Sequence, residues 1–202
     1  HNVLFIADEV QTGIARTGRL LATCGNCSCE KKDCSGTPEV KPDILILGKA
    51  LSGGVYPVSA VLANDAIMNV ITPGSHGSTF GGNPIAAAVA MAALKVVKNE
   101  DLTENAYRLG NLFRACLNTY IETSTIVKSV RGKGLLNAII INDHEESDTA
   151  WNICLKLRDN GLLAKPTHGN IIRFAPPLVM TETQLLECVN IITKTLKVFE
   201  KN

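Results

Sequence analysis

Asp8 and Glu9 follow the apolar run Val3-Leu4-Phe5-Ile6-Ala7. A carboxylate at the carboxyl end of a strand in an open parallel sheet stands where such sheets bind ligands, although an Asp there also serves to cap the next turn. Lys49 sits in Gly48-Lys49-Ala50-Leu51-Ser52-Gly53-Gly54, directly after a second apolar run at 44–47, so a lone amine is carried from another strand end into a glycine-rich turn. A partly buried lysine gives up its charge readily, as Schiff-base chemistry requires. The rival is a phosphate-binding loop, whose pattern needs a glycine and a hydroxyl where this chain has Asp43 and Ala50. The run Gly74-Ser75-His76-Gly77-Ser78-Thr79-Phe80-Gly81-Gly82 leads into Asn83-Pro84. Its glycines, the hydroxyls of Ser78 and Thr79 and the free N–H groups of the next helix suit a phosphate, or form a connection whose hydroxyls cap that helix. Arg173, in Ile171-Ile172-Arg173-Phe174, offers a two-pronged grip on a carboxylate or one half of a structural ion pair.

The segment 23–40 is polar and carries Cys24, Cys27, Cys29 and Cys34. Cys24 and Cys27 have the spacing of a zinc or dithiol site, but Cys29 follows too closely for an ordinary two-pair knuckle, and an inert surface loop is the third reading. Asn26-Cys27-Ser28 spells a glycosylation acceptor, which the absence of a visible secretory signal discounts. Cys116, Cys154 and Cys188 fall inside apolar helical patterns, where a thiol packs as a small hydrophobe; this usage fits a reducing compartment.

These groups need elements to hold them. Strands are expected at 3–7, 44–47 and 58–63, and Asn83-Pro84 caps a helix over 85–97, together the pattern of a parallel α/β layer. From Asp101 the texture changes. Asp101 and Glu104 form a capping-box pair, and Leu102, Ala106, Leu109, Phe113, Cys116, Leu117 and Tyr120 recur at helical spacing. Strands at 126–130, 135–141, 162–164 and 171–174 follow, with a helix over about 147–160 ended by Gly161. A last helix starts at Thr181, with Gln184 completing a capping box, and buries Leu185, Val189, Ile192, Leu196 and Phe199. Two domains are expected: residues 1–100 as part of an α/β layer with 23–40 as an insert loop, and residues 101–202 as a small α+β unit.

A chain of 202 residues at 46% hydrophobic, 19% charged and 4% aromatic has the composition of a folded globular protein. Its net charge of +1, without a basic stripe, gives no electrostatic case for nucleic acid, and no apolar run reaches the roughly 20 residues that span a bilayer. The expected partners are therefore small molecules or another subunit. Opening at His1 straight into strand composition, without signal or transit pattern, the sequence reads as the C-terminal part of a longer protein.

Three runs taken together are specific: Phe5-Ile6-Ala7-Asp8-Glu9-Val10-Gln11-Thr12-Gly13, then Asp43 through Gly54, then Gly77 through Pro84. In order and spacing they resemble the class III pyridoxal-phosphate aminotransferases. Arg131-Gly132-Lys133-Gly134-Leu135-Leu136-Asn137-Ala138 and the run from Leu157 to Gly169 are further similar to the ornithine-acting branch of that class. The likeness covers nearly the whole chain except 23–40, where the sequence runs longer than the family pattern and puts Lys49 forty-one positions after Asp8.

The resemblance implies fold type I architecture: the C-terminal half of a large parallel-sheet domain plus a small α+β C-terminal domain. It implies pyridoxal 5'-phosphate as cofactor. Asp8 would pair with the ring nitrogen, Gln11 with the ring oxygen, and Lys49 would tether the cofactor and then shuttle a proton. Ser78 and Thr79 would reach the phosphate of a neighbouring subunit, making the active site a property of a homodimer or higher homo-oligomer, and Arg173 would clamp a substrate carboxylate. The implied reaction moves the side-chain amino group of ornithine to 2-oxoglutarate, giving glutamate and a semialdehyde that cyclises to pyrroline-5-carboxylate. Acetylornithine or 4-aminobutyrate as donor, and a non-catalytic zinc or redox module centred on Cys24 to Cys34, are the alternatives. The mitochondrial matrix is the expected location, with cytoplasm as alternative, and the 202 residues alone are not expected to turn over.

Overall fold

The computed structural model describes residues 3–26 and 41–200 and divides the chain into two compact units, His1–Glu104 and Asn105–Asn202. The division falls inside a helix rather than at its start, a few residues beyond the expected 100.

In the first unit, β1 (Ile6–Asp8) and β2 (Ile44–Leu47) pair in parallel, with Asp8 opposite Ile46. The third strand, β3 (Ala60–Ala63), runs antiparallel to β2, pairing Leu47 with Ala60, so the layer is mixed where a parallel one was expected. The cause is the connection. Residues 48–59 hold a single 3-10 turn, Lys49–Ser52, and no crossover helix of the kind a parallel return requires. A short helix, α1 (Asp65–Met68), is capped by Asn64, and the long α2 (Pro84–Asn99) starts as expected, with the Asn83 side chain accepting from Ala86 N–H at 2.8 Å and Pro84 in the first turn. The apolar residues before and in β1 read as buried, yet Val3 is 80% and Ile6 52% exposed.

The second unit is a four-stranded antiparallel sheet in the order β4 (Val127–Lys133), β5 (Leu136–Ile141), β7 (Ile171–Phe174), β6 (Lys165–Thr167). It packs with α3 (Leu102–Ile121), α4 (Thr149–Asp159) and α5 (Glu182–Lys197). Alternation sends Ile139, Ile141, Ile172 and Phe174 into a core shared with Leu109, Phe113, Leu117, Ile153, Leu157, Leu185, Ile192 and Leu196. Each such side chain contributes about 1.5–3 kcal/mol by leaving water. The rings of Phe113 and Phe174 meet tilted, centroids 5.6 Å apart. Thr181 and Gln184 form the expected capping box of α5. At α3 the expectation differs: Asp101 has φ +51°, outside the extended conformation of a capping residue. The strand expected at 162–164 lies instead at Lys165–Thr167, because Leu162 packs into the core and Ala164 against it.

Candidate active site

The carboxyl ends of β1 and β2 build the first half of the site. Parallel pairing puts Asp8 beside Ile46, and Glu9 N–H donates to the Ile46 carbonyl at 2.9 Å, so the chain reaches Lys49 three residues past the strand position that faces Asp8. Asp8 and Gln11 are exposed; the Asp8 carboxylate accepts from Val10 N–H at 3.1 Å and keeps further acceptor capacity.

Lys49 adopts φ +48°, a left-handed conformation that costs a residue with a Cβ about 1–2 kcal/mol. The turn holds it there: Leu51 N–H bonds the Gly48 carbonyl at 3.0 Å, Gly53 N–H bonds the Ala50 carbonyl at 2.9 Å, and the Ser52 hydroxyl reaches the Lys49 carbonyl at 3.3 Å. Gly53 and Gly54 follow with φ +61° and +83°, which explains the glycine pair. Lys49 is exposed rather than partly buried, a correction to the sequence reading: it stands in the turn beyond the end of β2, where no strand neighbour flanks it.

Lys49 forms one wall of a cavity of about 490 Å³ that Ser52, Ser59, Ser78, Gly81 and Gly82 also line. The volume is that of a small-molecule site. The Ser78 hydroxyl accepts from Gly81 N–H at 2.9 Å, closing a turn that delivers the chain to Asn83 and the start of α2. A side chain at Gly81 would press on Ser78 Cβ at 2.9 Å, so glycine is needed for this approach. An amine on one wall, serine hydroxyls on the others and a long helix beginning at the rim fit a small phosphorylated aldehyde. Ser78 shares this cavity with Lys49 of its own chain; Thr79 is exposed and is not among the lining residues, nor are Asp8 and Gln11.

Arg173 lies in the second unit, on the sheet face opposite the core, directly across from Lys165 in β6 and Ala138 in β5. It is half-buried, and among the described residues no hydrogen bond or ion pair occupies its guanidinium. Like charges directly opposed across strands repel, so the Arg173 and Lys165 pair is a place that an anion would relieve. The structural ion-pair reading of Arg173 therefore has no partner among the described residues.

Sequence reasoning treated Asp8 and Glu9 together, and the structure separates them. Glu9 is 2% exposed. Its carboxylate accepts from the Thr12 hydroxyl at 2.7 Å and from the N–H groups of Ala22 at 2.9 Å and Thr23 at 2.8 Å. The only available signal was Gly13, whose missing Cβ lets the turn close on the Glu9 carbonyl.

Of the cysteine cluster, Cys24 is half-buried, while Cys27, Cys29 and Cys34 lie outside the described residues. Among the described residues no group of three His, Cys, Asp or Glu could hold a metal, and no helix is long and apolar enough to cross a membrane.

Residues 1–196 match the family described as Aminotransferase class-III. The mitochondrial ornithine aminotransferase of Drosophila melanogaster is 59% identical over 196 residues, covering 97% of this chain and 42% of that protein. The mitochondrial rat enzyme is 56% identical over 199 residues, covering 98% of this chain and 42% of its own length. Among solved structures, acetylornithine aminotransferase from Elizabethkingia anophelis superposes with TM-score 0.89 at 66% identity, covering 98% of this chain and 47% of that one. Plasmodium falciparum ornithine delta-aminotransferase superposes with TM-score 0.88 at 51% identity, covering 100% and 49%. The chain thus spans less than half the length of the relatives it matches. With a family match over nearly its full length and a fold type I architecture, the chain belongs to the class III aminotransferases.

Proposed function

We propose that the full-length protein containing this chain is a pyridoxal-phosphate-dependent transaminase that moves the side-chain amino group of ornithine to 2-oxoglutarate, releasing glutamate and a semialdehyde that cyclises to pyrroline-5-carboxylate. The observation that carries this is Lys49, held at φ +48° on the wall of a cavity it shares with Ser78, one strand away from Asp8. When bound, pyridoxal phosphate supplies the electron sink that lets an amine-bearing carbon lose a proton. Lys49 would hold it through the side-chain amine, and that amine would serve as the group that moves the proton. The Asp8 carboxylate would keep a proton on the ring nitrogen, and the Gln11 amide would donate to the ring oxygen. Ser78 would serve the phosphate within the cavity it shares with Lys49, and in a homodimer the exposed Thr79 would be placed to reach the phosphate of the other copy. Arg173 binds the substrate carboxylate through two parallel hydrogen bonds. The mitochondrial names of the fly and rat relatives support a matrix location, with cytoplasm as the alternative.

The 66% identity to an acetylornithine aminotransferase structure makes the acetylated donor the reading to beat. Steady-state rates with ornithine, N-acetylornithine and 4-aminobutyrate, each with 2-oxoglutarate, separate the three. Ornithine should lead in kcat/KM by at least about tenfold, or about 1.4 kcal/mol of transition-state preference. A lead for N-acetylornithine or 4-aminobutyrate would reassign the substrate, and no turnover with any donor would overturn the reading.

A further inference from the structure

We propose that Glu9 is a positioning residue for the reaction: its buried carboxylate fixes the turn that carries Gln11 beside Asp8, and so acts on the cofactor ring through Gln11 without touching it. This rests on the transaminase reading above.

Three neighbours show opposite exposures. Asp8 and Gln11 are open to solvent, whereas Glu9 between them is 2% exposed. Burying a carboxylate is costly unless its oxygens are satisfied, and here both are. One oxygen takes the Thr12 hydroxyl and Ala22 N–H, the other takes Thr23 N–H. The Glu9 backbone is fixed as well, donating to Ile46 in the sheet and accepting from Gly13 N–H at 2.9 Å. One residue therefore staples the end of β1 to both limbs of the loop that follows. Between the stapled ends the backbone passes through left-handed Ile14 and Ala15, both buried, and closes through Ile14 N–H to the Leu20 carbonyl at 2.6 Å. Gln11 lies inside the turn from Glu9 to Gly13, one residue before the Thr12 hydroxyl that Glu9 holds, so its backbone cannot move while the Glu9 bonds stand.

Glutamine at position 9 has nearly the same shape but replaces one acceptor oxygen by an amide donor. It cannot satisfy all three donors, and one limb of the loop must release. The test is a double-mutant cycle in the full-length holoenzyme with Glu9→Gln, Gln11→Ala and the double variant, assayed below each variant's Tm. Two quantities are read: kcat/KM for the amine donor, and the pH midpoint of the bound cofactor's visible band. Glu9→Gln should lower kcat/KM about tenfold or more and move the midpoint in the same direction as Gln11→Ala, and the double variant should be no worse than Gln11→Ala alone. Thr12→Val, which removes one of the three bonds and keeps the charge, should show a smaller effect of the same kind; it serves as the test if Glu9→Gln does not fold. A Glu9→Gln that lowers only Tm, or losses that multiply in the double variant, would overturn the positioning role. A silent Gln11→Ala would instead remove Gln11 from the proposed site and the positioning role with it.

Discussion

Replacing Gly110 by alanine should destabilise the second unit, although alanine normally improves a helix interior by about 0.8–1 kcal/mol over glycine. Gly110 is buried in α3 where the helix meets the β4–β5 hairpin, and a Cβ there would lie 1.9 Å from the Gly134 carbonyl oxygen and 2.4 Å from its carbon. Ordinary contact requires more than an ångström of retreat. The obstacle cannot yield cheaply, because that carbonyl accepts from Arg114 Nη1 at 3.1 Å and from Asn137 Nδ2 at 3.1 Å, while Arg114 also donates to Asn137 Oδ1 at 2.7 Å and to Asn111 Oδ1 at 2.7 Å. Overpacking costs about 1–3 kcal/mol, and disturbing two hydrogen bonds, one buried and one partly buried from a guanidinium, adds about 1–3 kcal/mol. Set against the helix gain, the net loss is about 3 kcal/mol, which lowers Tm by about 6–12 °C for a chain of this size. Thermal unfolding followed by circular dichroism measures it. An unchanged or raised Tm for Gly110→Ala would refute the reasoning, since propensity would then have outweighed the clash.

Two further outcomes follow from side chains. Burial of the Glu200 carboxyl raises its pKa, but hydrogen bonds from Tyr120, Thr125 and Ser124 and from Thr125 N–H outweigh this and hold it down at about 2. A depressed carboxylate stabilises above its ordinary pKa of 4.5 and loses that contribution as pH falls toward about 2, so Glu200→Gln should flatten the acid limb of a stability–pH curve in that window. Its cost at pH 7 should be about 1 kcal/mol, kept small by partial exposure. Arg173→Lys, which keeps the charge but loses the two-pronged grip, should raise KM for 2-oxoglutarate about 10–100-fold in the full-length enzyme with a smaller change in kcat; an unchanged KM would remove Arg173 from substrate binding.

What the sequence disclosed depended on whether the signal was local. The Asn83-Pro84 start, the Thr181 and Gln184 capping box and the Gly161 stop, with its φ of +89°, were legible because the residues that make them are neighbours. Strand β7 was legible from its apolar, β-branched composition. The direction of β3 was not, since apolar composition is the same in either direction and only the connection decides. Strand β6 was misplaced because apolar mass at Leu162 and Leu163 outweighs Lys165-Pro166-Thr167; Leu163 turns out 85% exposed, and a proline is admitted to β6 only because that strand lies at the sheet edge. Asp8, Lys49 and Ser78, the residues proposed for the chemistry, could be picked out by motif. Glu9 could not be told apart from Asp8, because its partners stand 3, 13 and 14 residues away.

The central claim is that Lys49 is the covalent tether of the cofactor. Adding pyridoxal phosphate to the full-length protein, reducing with borohydride, digesting and locating the cofactor mass should give a single adduct on Lys49, absent in Lys49→Ala. No adduct, or a scatter over surface lysines, would contradict the account.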